Sequence, residues 1–319
     1  MTGGKVKCVL CPFNCVLAEG KTGICGGKQN IGGELVAINY GLTTSLSLDP
    51  IEKKPLYHFL PGSGILSIGP NGCNMACNFC QNYGVSQEIA SVQFIAPEKA
   101  VSIAVSSGSI GVAYTYAEPL IWFEYVLATS KAMRAKALKN VLVTNGFINP
   151  APLEELLPWI DAMNIDIKSM DPAFYKKICK AKLEPALETL RHAARETHVE
   201  VTNLVIPGLN DSDENFIKLA DFLAEINPLI PLHFSRYHPD YLQSAKPTPI
   251  KTLTRAADIA SKKLKHVYIG NVPGEERNQT HCAECGMVII ERSGYKVLNI
   301  NVPDGNCGFC GAKNEIIVK

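Results

Sequence analysis

No apolar run in this chain of 319 residues approaches the roughly 18 that a membrane-crossing helix needs. An apolar signal core is missing too, since Met1-Thr2-Gly3-Gly4-Lys5 leads straight into cysteines. Both absences argue against a membrane or secreted protein, and a soluble cytoplasmic one is expected. Charge of one sign is also scarce. The 31 Lys+Arg and 30 Asp+Glu leave a net charge of +1, which provides neither a strongly basic surface for nucleic acid nor an acidic disordered tail. What the chain has in quantity is apolar mass and sulfur. Its 46% hydrophobic content suits one main domain of about 200 to 250 residues with smaller appendages. Its 12 cysteines gather as Cys8/Cys11/Cys15/Cys25, Cys73/Cys77/Cys80 and Cys282/Cys285/Cys307/Cys310, a grouping that reads as ligand sets rather than disulfide partners. Cys179 is left over and reads as a buried or partly buried thiol.

The middle group sits in one short loop, Cys73-Asn74-Met75-Ala76-Cys77-Asn78-Phe79-Cys80. Three soft thiolates from so short a segment suit an iron-sulfur cube, in which cysteines hold three irons and the fourth stays open for another ligand. Cysteines at i, i+4 and i+7 would also share one face of a helix. Pro70, Asn71, Gly72, Asn74 and Asn78 are weak helix formers, however, and Gly64-Ile65-Leu66-Ser67-Ile68-Gly69 before them reads as a buried strand entering a loop. No obvious nucleophile–base pair stands near this loop.

From residue 64 onward strands and helices alternate, with strands expected near 64–68, 110–115, 140–144, 162–167, 199–206, 231–235 and 266–270. Pro97 and Pro119 can each begin a helix, the second running to about Ala135, and Asp211 with Glu214 makes a capping-box-like start to a helix ending near Glu225. Repeated β-α units imply a parallel sheet, either doubly wound or curled into a barrel. Before them, Cys8, Cys11, Cys15 and Cys25 lie in a Gly-rich knob where zinc, an auxiliary iron-sulfur cluster and free thiols are all open readings. The alternating Glu34-Leu35-Val36-Ala37-Ile38-Asn39-Tyr40 suggests a strand beside the main domain. The run 49–62, bounded by prolines, reads as a loop whose Glu52, Lys53, Lys54 and His58 are solvated or touch a substrate. At the C-terminus, Cys282-Ala283-Glu284-Cys285-Gly286 and Cys307-Gly308-Phe309-Cys310-Gly311 flank a hairpin turned at Ser293-Gly294. Paired knuckles of this kind read as a zinc ribbon, with rubredoxin-type iron as the alternative.

The cysteine spacing at 73–80, with Phe79 just before the last cysteine, resembles the signature of the radical SAM enzymes. The resemblance implies a 4Fe-4S cluster on Cys73, Cys77 and Cys80 whose open iron takes S-adenosylmethionine, a 5′-deoxyadenosyl radical, and a hydrogen atom taken from a substrate. It also implies a partial (βα)6 barrel with its chemistry at the C-terminal strand ends. Further segments are similar to the pyruvate formate-lyase activating enzyme subgroup, and the 49–62 run is similar to a signature of the AmmeMemoRadiSam-system radical SAM proteins. Thr115-Tyr116-Ala117-Glu118-Pro119 aligns with a Gly-Gly-Glu-Pro that binds the cofactor's amino group, with Tyr116 and Ala117 in place of the glycines. Thr144-Asn145-Gly146 follows Val143, where the family has aspartate. Asp166-Ile167-Lys168 matches an Asp-x-Lys element, and Tyr237-His238 a Tyr-His pair near the cofactor. By this resemblance Phe79, Glu118, Thr144, Asp166, Lys168 and His238 are candidate cofactor contacts. Asn203, on a predicted strand, is a candidate for ribose or carboxylate contact or else a satisfied core amide.

The expected architecture is therefore α/β. It has an N-terminal cysteine-rich segment over 1–48, a radical SAM partial barrel over 49–275 and a zinc-ribbon-like hairpin domain over 276–319. The expected cofactors are a 4Fe-4S cluster, S-adenosylmethionine, zinc at the C-terminus, and zinc or a second iron-sulfur cluster at the N-terminus. A flavodoxin or ferredoxin is the expected reductant, with a protein glycine as one possible substrate; membrane and nucleic-acid partners are not expected. Two rivals come from other classes, a zinc-ribbon RNA- or protein-binding module on a non-catalytic barrel and an electron carrier.

Overall fold

The computed structural model describes residues 4–318. Its main sheet has eight strands whose spatial order is their order in the chain: β1 (Ser45–Pro50), β2 (Gly64–Gly69), β3 (Gly111–Tyr114), β4 (Lys139–Thr144), β5 (Ala162–Asp166), β6 (His198–Val205), β7 (Leu232–Arg236) and β8 (Val267–Gly270). β2 to β8 run parallel, and β1 lies antiparallel on the β2 edge. Each parallel strand was expected, most of them from a short apolar run. Such runs arise because a parallel strand is covered on both faces, and every residue of β3 is buried. Among the described strands none joins β8 back to β1, so the barrel is partial. No described helix is long and apolar enough to cross a membrane.

The helices that cover the outer face include α1 (Pro97–Ser106), α2 (Phe123–Arg134), α3 (Pro150–Leu156), α4 (Glu184–Glu196), α5 (Asp213–Ile226) and α6 (Ile250–Ala260). Their apolar stripes pack with the outward side chains of the sheet, as Leu190, Phe216 and Leu253 do with Val199 and Phe234. Two starts differ from expectation. Pro119 opens a single 3₁₀ turn, Pro119–Trp122, and α-helical geometry begins only at Phe123. The cap of α5 is Ser212, whose hydroxyl accepts from the Asn215 amide, because Asp211 turns back to accept from Gly208.

The 49–62 run departs most from its reading. Ser45–Pro50 crosses the boundary drawn at residue 49 and belongs to the sheet. After it the chain turns into the barrel, where Ile51, Leu56 and Phe59 pack on Ile65, Ala113, Val141 and Ala162. The segment is a plug, and Glu52, Lys54 and His58 are buried at 1%, 2% and 0% exposure rather than solvated. His58 donates its amide to Glu200, which also holds the side chains of His198 and His233 at 3.1 and 2.6 Å. Burial pushes the Glu200 carboxyl up, but these donors hold it well below the usual range.

The appendages fold as local hairpins. Glu34–Ala37 pairs with Lys28–Ile31 inside the N-terminal knob. At the other end Val288–Ser293 and Lys296–Ile300 pair around Gly294 at φ +58°, with Thr280–His281 as a third strand. Arg292 fastens this hairpin to the barrel plug. Its guanidinium donates to the Tyr57 carbonyl at 2.7 Å and lies 3.6 Å from Glu52.

Candidate functional site

Where β2 ends, the chain enters a loop that is not helical until Tyr83. Asn71 braces it by donating to the carbonyls of Val85 and Glu88 at 2.7 and 2.8 Å, and Asn74 donates to the Phe147 carbonyl at 2.8 Å. The amides of Ala76 and Asn78 donate to the carbonyls of Cys179 and Ile178. Cys73, Cys77 and Cys80 thereby line a single cavity of 390 Å³ above the strand ends, with Phe79 beside them.

The thiols have donors suited to bound thiolates. Cys73 accepts from the Met75 amide at 3.3 Å and from Asn145 Nδ2 at 3.6 Å, and Cys80 lies 3.1 Å from the Ser86 hydroxyl. Burial pushes Cys73 well above its ordinary value. A hydrogen bond with Cys179, then burial, does the same to Cys77. Uncompensated thiolates are therefore disfavoured here, and a cationic metal centre would compensate them. The three sulfurs are not gathered around one point as ligands of a single ion would be. A cube gives each thiolate its own iron, so its ligands stand apart, and the donor set fits an iron-sulfur cluster.

Polar groups from consecutive strand ends face the same cavity. Glu118, after β3, accepts from the Thr144 hydroxyl at 2.6 Å, the Asn145 amide at 2.8 Å and the Leu120 amide at 3.0 Å. Burial pushes its carboxyl up to about 7 against these three donors. It therefore caps the 3₁₀ turn, as a helix N-terminal acid would, and also presents an ionisable oxygen pair to the cavity. Asp166 and Lys168, at and beyond the end of β5, form an ion pair of 2.8 Å in the cavity wall. Burial pulls the Lys168 ammonium down, yet Asp166 and the nearby Cys77 hold it above its ordinary range.

Two candidates stand apart from this set. Asn203 lies on the other face of β6. Its Nδ2 donates to the carbonyls of Ile167 and Lys168 at 2.7 and 3.3 Å, so it braces the β5 end, while Thr202 and Leu204 line the cavity. Of the two readings open for Asn203, a ribose or carboxylate contact and a core amide, these bonds match the second, because alternation along a strand turns it away from the face that lines the cavity. His238 is 60% exposed outside the lining, with Nδ1 2.8 Å from Gln81 Nε2.

Other groups at the cavity escaped the sequence. Asn145, inside a motif already singled out, bonds to Cys73 and Asn74. Tyr116, at φ +71°, donates to Asp49, which also takes Lys53 and Lys54 at 2.9 and 2.7 Å. Burial pushes Asp49 up, but these three partners hold it well below the usual carboxylate range. Lys53, Lys54 and Tyr116 all line the cavity. Lys53 and Lys54 were among the residues read as solvated or touching a substrate, and Tyr116 signalled the wall only by its bulk where the family has glycine.

At the C-terminus the Sγ atoms of Cys282, Cys285, Cys307 and Cys310 all lie within 4.8 Å of one another. The Cys282–Cys310 and Cys285–Cys307 sulfur distances are both 3.7 Å. A tetrahedron with metal–sulfur bonds of about 2.3 Å has edges of about 3.8 Å, so this set fits one tetrahedral ion. Burial opposes the Cys282 thiolate, but the Cys285 and Glu284 amides hold its thiol down to about 6. The N-terminal Cys8, Cys11, Cys15 and Cys25 are free thiols, three of them buried, within electrostatic reach of one another.

Residues 67–223 match the family model described as the Radical SAM superfamily. An uncharacterized protein of Methanocaldococcus jannaschii is 44% identical over 98% of this chain and 96% of its own length. A pyruvate formate-lyase 1-activating enzyme of Escherichia coli is 22% identical over 52% of this chain and 71% of its own. Among solved structures, Streptococcus suis SuiB bound to S-adenosylmethionine superposes with a TM-score of 0.52 at 15% identity, covering 67% of this chain and 50% of that one, a likeness of fold.

Proposed function

The chain belongs to the radical SAM superfamily, and on that premise we propose that it cleaves S-adenosylmethionine reductively in the cavity at the strand ends and takes a hydrogen atom from a substrate. When bound, the 4Fe-4S cluster and S-adenosylmethionine supply the 5′-deoxyadenosyl radical that does this. The carrying observation is convergence. Three thiols of one non-helical loop share a cavity with Glu118, Thr144, Asp166 and Lys168 from three consecutive strand ends. A barrel serving only to display a zinc ribbon needs no such convergence.

In this reading Cys73, Cys77 and Cys80 hold the cluster, and Asn145 orients the first of them through its 3.6 Å donor. Glu118 receives the cofactor's ammonium, with Thr144 fixing the carboxylate in place. Lys168, tethered by Asp166, offers a positive charge to a carboxylate. Buried Phe79 and Met75 keep water from the reacting end. An external flavodoxin or ferredoxin delivers the electron.

For the substrate we infer a carbon of a partner protein, with a glycine Cα as the first candidate. Support comes from the activating enzymes among the relatives, whose similarity covers between 35% and 52% of this chain. Tyr116, Ala117 and Val143 in place of family residues, and the two cysteine appendages, favour a partner of this chain's own. Anaerobic protein given dithionite and S-adenosylmethionine should release 5′-deoxyadenosine and methionine. Cleavage at the parental rate in Cys73→Ala, Cys77→Ala or Cys80→Ala would reject the site. Electron paramagnetic resonance of mixtures with glycyl radical enzymes tests the substrate. The absence of a glycyl doublet, alongside vigorous cofactor cleavage with another partner, removes glycine and keeps the chemistry.

A further inference from the structure

The N-terminal cysteines repeat the local geometry of the other two sets. In each set a cysteine sulfur accepts an amide from two residues on: Met75 to Cys73, Glu284 to Cys282, Phe309 to Cys307 and, in the knob, Gly27 to Cys25 at 3.5 Å. Phe13 does the same for Cys11. Such amides are aimed where charge accumulates on metal-bound sulfur. The sets differ in spread. The C-terminal sulfurs close up around one point, whereas among the described residues neither the N-terminal four nor the loop three do so. A single tetrahedral ion draws its sulfurs to about 3.8 Å. A spread set of four thiols suits a centre in which each sulfur has a separate iron.

The knob is also pressed against the cluster loop. A side chain at Gly72, next to Cys73, would strike the Cys25 carbonyl at 2.4 Å. Cys25 and Cys73 both line one cleft of 510 Å³. Cys11 packs in the same apolar cluster as Met75, Cys77 and Phe79. Phe13 meets Phe147 edge-on at 5.3 Å between centroids, and the carbonyl of Phe147 holds Asn74 inside the loop. A structural zinc would need none of these contacts with the loop.

We propose that Cys8, Cys11, Cys15 and Cys25 hold a second iron-sulfur cluster that passes electrons to the centre on the 73–80 loop. The proposal rests on the radical SAM reading for what lies at its far end. Its balance is simple: one electron arrives from a reduced ferredoxin or flavodoxin and one electron leaves for the loop centre. No bond forms or breaks at the cysteines, and the carrier is oxidised by one electron.

The test is metal content and spectroscopy of the full chain, purified anaerobically. The triple variant Cys73→Ala/Cys77→Ala/Cys80→Ala should keep about four irons and about four sulfides, with a reduced-cluster paramagnetic signal, beside the metal of the ribbon. If that variant holds no iron and carries an additional zinc, the proposal is overturned. Cys11→Ser/Cys25→Ser should lose those irons, keep the loop cluster, and lose reduction by the protein carrier while dithionite still reduces it. Reduction by the carrier at the parental rate would overturn the electron path. Should this double variant fail to fold, the triple variant alone still decides whether a cluster is there. Cleavage of S-adenosylmethionine with dithionite by the parental chain is read separately, so failure of the radical chemistry is distinguishable from failure of this inference.

Discussion

Replacing Arg292 tests how the ribbon is joined to the barrel. The guanidinium donates to the carbonyls of Tyr57 and Asn278 and to the Thr280 hydroxyl at 2.7, 3.2 and 2.8 Å, and it lies 4.3 Å from the Tyr57 ring centroid. It is also the positive charge beside Glu52, whose carboxyl burial pushes above its ordinary value while Arg292 pulls it down. Arg292→Met leaves that carboxyl buried without its counter-charge, and removing one partner of a buried pair costs about 3 to 5 kcal/mol. Glu52→Gln keeps an acceptor for the Gly62 amide, which now donates to Glu52 at 2.9 Å, and removes the charge. In that background Arg292→Met should cost only its lost hydrogen bonds, so the double-mutant cycle should show a coupling of about 2 kcal/mol. The assay is urea unfolding of the chain with its ribbon metal bound. Additive effects within about 0.5 kcal/mol would refute the pairing as the element that holds the ribbon. The same plug carries Lys53 and Lys54 into the cavity wall. Arg292→Met should therefore weaken substrate binding more than basal cleavage of S-adenosylmethionine, an outcome read from the split between KM and kcat.

Glu118 makes stability depend on pH. Its folded value of about 7 lies above the unfolded 4.5, so its contribution is full below pH 4.5 and lost as pH rises through about 7. The loss is on the order of 3 kcal/mol. Glu118→Gln should flatten the melting temperature between pH 5 and 8, and an unchanged slope would refute the shift. Cys282→Ser should release about one metal ion and reduce thermal stability while the loop centre keeps its colour; metal analysis that finds iron at this site would contradict zinc. Thr144→Val removes the 2.6 Å donor to Glu118 and should raise the carboxyl by about one unit. Cofactor cleavage would then need higher pH, and a pH profile identical to the parent's would oppose the role given to Thr144.

What could be read ahead of the structure was whatever a short window determines. Strands β2 to β5 and β8 announce themselves as short, largely apolar stretches covered on both faces, β6 and β7 by alternating apolar residues, and the cysteine sets because knuckles are local in sequence. β1 was missed for the opposite reason. As an edge strand it leaves Leu46, Ser47, Leu48 and Pro50 exposed, buries only Asp49 and ends at a proline, and composition makes that a loop. Glu52, Lys54 and His58 were misread because their partners are not local. Glu52 meets Arg292 and His58 meets Tyr268, more than two hundred residues away, while Lys54 meets Asp49 only because the plug folds back on β1. Alternation divided β6 correctly into two faces but could not say which one looks inward. A buried glutamate would normally argue for the outer face. Here the lower barrel is polar by design of the plug: His58 and His233 bring donors to Glu200, and that turns Thr202 and Leu204 toward the cavity and Asn203 away from it. The orientation of a strand that lines the cavity is thus set by a segment far earlier in the chain, as the hydrogen bond from the His58 amide to the Glu200 carboxylate, 142 residues apart, makes explicit.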